Sequence, residues 1–80
     1  MDEEIRPRVP VVARVREWHE EDGWGVLDAE ETPGGCWVHF SAVKAHGYRS
    51  LRVGAEVELR VWEAGRQDGY DFRALEVVPR

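Results

Sequence analysis

Apolar and polar positions alternate every second residue along most of this chain, and the 3.6-residue period of an amphipathic helix is hard to find. Residues 11–18 are rich in β-branched side chains and predict a first strand. A polar turn follows over residues 19–23, and Trp24-Gly25-Val26-Leu27 predicts a second strand. Residues 28–35 combine acids, Pro33 and two glycines, the composition of a hairpin loop. Residues 36–40 predict a third strand. Residues 41–54 form a long connection with a helical turn expected near Ser41-Ala42-Val43. Val57, Leu59 and Val61 alternate with Glu58, Arg60 and Trp62, so a half-buried fourth strand is expected there. A turn over residues 66–69 leads to a last strand over residues 70–78, which Pro79 ends.

Five short strands predict an all-β fold, a small five-stranded antiparallel barrel. Closure removes the sheet edges that otherwise invite aggregation. On pattern and size the oligonucleotide-binding barrel (OB-fold) leads, with an SH3-like barrel second. Eighty residues are enough for one domain. Residues 1–10, charged and carrying Pro7 and Pro10, are expected to form a flexible arm, with the domain over residues 11–80. The N-terminus is acidic and lacks the basic-then-apolar order of a signal peptide, and no apolar run is long enough to cross a bilayer. Cys36 is the only cysteine, which rules out an internal disulfide. A cytoplasmic monomer is expected on these grounds.

Candidate chemistry concentrates in the second and third strands. Alternation assigns Leu27, Cys36 and Val38 to the core and places Trp24, Trp37 and His39 together on the outer face of adjacent strands. Four tryptophans in eighty residues is a high content. Rings held on a solvated face suit a platform on which nucleic-acid bases stack. The competing reading is that these rings are ordinary barrel core.

The motifs resemble those of a bacterial cold shock domain. In that family the second strand carries a motif of the type Lys-Gly-Phe-Gly-Phe-Ile, and this chain has Asp22-Gly23-Trp24-Gly25-Val26-Leu27. The family's Val-Phe-Val-His-Phe is matched by Cys36-Trp37-Val38-His39-Phe40. Ser41-Ala42-Val43 resembles its Ser-Ala-Ile, and His46-Gly47-Tyr48-Arg49-Ser50-Leu51 resembles its Asp-Gly-Tyr-Lys-Ser-Leu. The likeness runs from about Ala13 to Val78. It implies an OB-fold barrel that binds single-stranded RNA or DNA by base stacking, in the manner of an RNA chaperone or a regulator of transcription or translation. Carried over by position, Trp24, Trp37, His39 and Phe40 match stacking residues, and Tyr48 matches an aromatic of the long loop. Arg14 and Arg16 match basic residues of the first strand that suit phosphate contact. Alternation alone would turn Phe40 inward with Val38, whereas the resemblance implies that it lies at the surface.

The departures fall on the binding surface. The family's first strand ends Lys-Trp-Phe-Asn, and here it ends Arg16-Glu17-Trp18-His19, so a stacking tryptophan is replaced by Glu17. Trp18 takes the neighbouring position and is expected to substitute in part. Asp22 replaces a lysine, and Val26 replaces the motif's second aromatic, leaving a side chain that contacts a base without stacking on it.

Net charge is −5, with sixteen acids against eleven Lys and Arg. Seven of those acids lie between Glu17 and Glu31, a stretch with no Lys or Arg, so the remainder is weakly positive. Lys44, Arg49 and Arg52 form the expected local basic patch. Counterion release from phosphates drives non-specific binding. The expected binding is therefore weaker and less salt-sensitive than is usual for the family. If Arg16 contacts phosphate, Arg16→Ala is expected to weaken binding and flatten its salt dependence.

Other chemistry has little support in the sequence. Cys36 and His39, three apart on a strand, point to opposite faces, and zinc needs converging ligands. Gly23-Trp24-Gly25 opens no helix and is not a phosphate-cradling loop. Neither an enzyme nor a cofactor is expected. The rival function is a protein-interaction module in which Glu17, Asp22 and the acidic hairpin, flanked by Trp18 and Trp24, dock a basic protein partner.

Overall fold

Alternation sends one side of each strand into a shared core, and the strands close on themselves to cover it. The computed structural model describes residues 10–45 and 49–80. Its strands are β1 (Val11–His19), β2 (Trp24–Asp28), β3 (Cys36–His39), β4 (Glu56–Gln67) and β5 (Tyr70–Pro79), with a 3-10 turn at Phe40–Ala42. They form a closed barrel in the order β1-β2-β3-β5-β4, the all-β architecture expected of an OB-fold. Four seams are antiparallel, and the β3–β5 seam, pairing Cys36 with Phe72 and Trp37 with Arg73, is parallel.

The core is filled mainly by Val15, Leu27, Val38, Val57, Leu59 and Val77, each at most 2% exposed. Removing apolar surface of this kind from water contributes about 25 cal/mol per Å². Leu51, from the long connection, plugs the core, and the Lys44 amide donates to the Val77 carbonyl at 2.8 Å.

Two local expectations change. Trp62 was placed outside with Glu58 and Arg60, but it is only 5% exposed and belongs to the core cluster. The β4–β5 register shifts between Leu59 and Val61 and again before Trp62, and these irregularities reverse the phase of the alternation. The predicted turn over residues 66–69 narrows to Asp68-Gly69, whose φ angles of 51° and 90° suit a two-residue hairpin. No helix of the described residues is long and apolar enough to cross a membrane. Among the described residues, no three His, Cys, Asp or Glu side chains gather as a metal site.

Candidate nucleic-acid interface

The three consecutive strands β1, β2 and β3 present two cross-strand rows on their outer face. His19, Trp24 and His39 form one row, and Glu17, Val26 and Trp37 form the next. A register shift between Val15 and Glu17 inserts Arg16 as an extra residue. Arg16 and Glu17 both lie on the outer side as a result, and Trp18 returns to pack against the core. Trp18 lies so close to β2 that a Cβ at Gly25 would sit 2.6 Å from its ring, which explains the glycine between Trp24 and Val26.

The rings form a continuous run. His19 and Trp24 lie 4.2 Å apart between centroids, Trp24 and Trp37 6.2 Å, Trp37 and His39 6.0 Å, and His39 and Phe40 4.6 Å. The planes of Trp24, Trp37 and His39 are close to parallel, with interplanar angles of 21° and 24°. Three devices hold the run in place. His39 Nδ1 accepts from the Ser41 amide at 3.2 Å and lies 2.8 Å from the Ser41 hydroxyl. Trp37 is paired across the parallel seam with Arg73, which is ion-paired with Glu63. His19 Nε2 donates to Glu17 Oε1 at 2.7 Å. Phe40 is 43% exposed. It lies at the surface because β3 ends at His39 and the 3-10 turn begins at Phe40, so strand alternation stops one residue earlier than residues 36–40 suggested.

Not every predicted residue joins the run. Val26 shares the outer side but has no exposed surface, so the expected base contact is corrected. The acidic hairpin folds back over it: a Cβ at Gly35 would meet Val26 Cγ1 at 2.9 Å, the Arg16 guanidinium at 3.1 Å and the Tyr70 ring at 3.2 Å. Gly35 has a φ of 113°, open to glycine and costly for other residues. Trp18 does not take the place of the missing stacking tryptophan. It faces the opposite way from Glu17 and His19, and its Nε1 donates to Glu20 Oε1 at 2.8 Å. With residues 20–23, Arg49 and Phe40, the last ring of the run, it lines a cleft of about 460 Å³. Tyr48 lies outside the described residues.

The basic residues of β1 are already engaged. Arg16 places Nε and a terminal nitrogen on Asp28 at 2.5–3.1 Å, and that hydrogen bond, foremost, holds its pKa above the ordinary arginine value. Arg14 donates to Glu56 at 3.1 Å and to the Gly54 carbonyl at 2.7 Å. Lys44, Arg49 and Arg52 are exposed and form no ion pair with any described carboxylate. On the inner side of β3, Cys36 is fully buried, and burial pushes its thiol up to about 12. It is therefore inert at neutral pH.

His19 and Tyr70 belong to this surface and escaped the sequence reading. His19 was taken as turn, yet it lies two residues from Glu17 on the outer side of a strand that runs one residue further than expected. Tyr70 hydroxyl points to Glu17 Oε2 at 3.4 Å from a strand distant in sequence, a contact that no local pattern announces.

The sequence is 36% identical over 53 residues to cold shock-like protein CspC of Bacillus cereus, a match covering 66% of this chain and 80% of that protein. It is 36% identical over 55 residues to cold shock protein CspD of Bacillus subtilis, covering 66% and 79%. Against cold shock protein CspA of Staphylococcus saprophyticus the identity is 38% over 52 residues, covering 65% and 77%. No family model matches the chain.

Proposed function

The chain belongs to the cold shock protein family, and from that premise we propose that it binds single-stranded RNA or DNA by stacking bases on the outer face of β1, β2 and β3. The observation that carries the proposal is the run of five rings from His19 through Trp24, Trp37 and His39 to Phe40. Side-chain positions fixed in advance spare the ordering cost that loose rings would pay on binding. A base stacked on such a ring gains roughly 1–3 kcal/mol with little regard to sequence. Binding of this kind melts weak secondary structure, because it favours the unpaired strand, and it suits an RNA chaperone or regulator acting in the cytoplasm.

Charge plays the smaller part. Phosphate contacts fall to the exposed Lys44, Arg49 and Arg52, since Arg14 and Arg16 are held by carboxylates. The test is a titration with short oligouridine and oligothymidine at low and moderate salt, followed by tryptophan fluorescence. Saturable quenching with a shallow salt dependence is expected. Absence of quenching at low salt, where attraction is strongest, would overturn the proposal and turn the search to a basic protein partner.

A further inference from the structure

Among the described residues, Glu17 is the carboxylate that the β1–β2 register sets in the row next to Trp24, on the ring-bearing face. It lies one strand from Trp24 and one row along, opposite Val26, and its side chain is 36% exposed. Neighbouring strands are about 4.8 Å apart, so a base lying on Trp24 brings one edge within reach of a glutamate at that diagonal position. The carboxylate is fixed from two sides. Oε1 accepts from His19 Nε2 at 2.7 Å, and the Tyr70 hydroxyl approaches Oε2 at 3.4 Å. His19 itself packs against Trp24 in a tilted contact, 34° between planes at 4.2 Å, so the ring and the carboxylate are positioned together. An ionised carboxylate only accepts hydrogen bonds, at about four lone-pair sites, and the two protein contacts leave half of these free.

Resting on the stacking reading above, we infer that Glu17 makes this surface select guanine over uracil and thymine in a single strand. The Watson–Crick edge of guanine carries two adjacent donors, the N1–H and the N2 amine, which match the two oxygens of a carboxylate. Uracil and thymine present one N–H between two carbonyl oxygens, and those oxygens would face the carboxylate with like partial charge. Cytosine and adenine each offer an amine next to a ring-nitrogen acceptor and fall between. A good bidentate pair to a base edge discriminates by roughly tenfold or more.

The experiment compares heptauridine with the same heptamer carrying one central guanine, and a third carrying inosine there, by tryptophan quenching on the whole chain. A lone guanine avoids four-stranded assemblies. The native protein is expected to bind the guanine heptamer about tenfold more tightly than heptauridine, with inosine, which lacks the amine, in between. Glu17→Gln is expected to bring the ratio close to one while keeping, or raising, the affinity for heptauridine. The ratio is the readout, so the general gain from removing a negative charge cancels. Equal binding of guanine and uridine heptamers by the native protein, or an unchanged ratio in Glu17→Gln, overturns the inference and leaves the stacking reading standing. Failure of the native protein to bind any of the three removes the stacking reading and the inference with it.

Discussion

The outer face of the barrel divides into two regions built on neighbouring strands and left in opposite states. Toward β3, the rings from Trp24 to Phe40 are ordered against one another and keep part of their surface open. Along β1, the two arginines sit in carboxylate contacts, Arg16 on Asp28 and Arg14 on Glu56. An ion pair on the protein competes directly with a phosphate for the same guanidinium. A stacked ring in the protein still offers its remaining face to a base. On the proposed reading, the binding free energy of this acidic chain comes chiefly from the face of the sheet, with Lys44, Arg49 and Arg52 of the loop left to meet phosphates.

The largest effect should come from removing a ring. Trp37→Ala or Trp24→Ala is expected to weaken oligouridine binding by about 1–3 kcal/mol each, read by quenching of the remaining tryptophans. Both side chains lie outside the core cluster, so the thermal midpoint should fall far less than for a buried tryptophan. Trp62→Ala serves as the contrast. It empties a core position that is 5% exposed and should cost about 3–5 kcal/mol of stability. A loss of affinity below twofold in both ring variants, with the fold intact, would break the comparison at its aromatic end.

The second effect tests the charged region. Asp28→Asn removes the charge paired with Arg16, leaving it only a long 3.4 Å hydrogen bond to the Gly34 carbonyl, and Arg16 is already on the outer side next to Glu17. The variant is expected to bind severalfold more tightly at low salt, with a logarithmic salt slope steeper by about 0.7, one phosphate's share on a single strand. Adding Arg16→Ala to Asp28→Asn should return the slope to the native value. The exposed ion pair contributes little to folding, so the fold should survive both changes. An unchanged slope in Asp28→Asn would mean that Arg16 is out of reach of the strand.

What the sequence disclosed follows the same division. Strict alternation in Cys36-Trp37-Val38-His39 was enough to separate the buried side from the half-buried one, because a strand's period of two holds wherever the ladder is regular. It failed where the ladder is irregular. The shift at Arg16 turned two consecutive residues outward, and the shifts after Leu59 drew Trp62 inward. A bulge depends on the partner strand and leaves no local signature. Val26 shows a second limit. Its side was read correctly, but its burial comes from the hairpin loop, whose Gly35 packs against it with the Tyr70 ring of β5 beside the same glycine. Likewise the resemblance implied that Arg14 and Arg16 could meet phosphate, while their capture by Glu56 and Asp28 depends on register across β1–β4 and β1–β2.

The smallest effect marks the edge of the binding track. Glu56→Gln removes the carboxylate beside Arg14, but Arg14 keeps its 2.7 Å hydrogen bond to the Gly54 carbonyl and stays anchored toward β4. It also sits five residues before His19, about 16 Å along an extended strand from the first ring. A strand stacked from His19 to Phe40 runs away from it. Glu56→Gln is therefore expected to change affinity less than twofold, and to steepen the salt slope by less than half of the change in Asp28→Asn. The two variants remove the same charge, so overall electrostatics cannot explain a difference between them, and the position and anchoring of each arginine must. A response to Glu56→Gln equal to or larger than that to Asp28→Asn would place the phosphates along β1 and β4. The aromatic run would then be a bystander to binding.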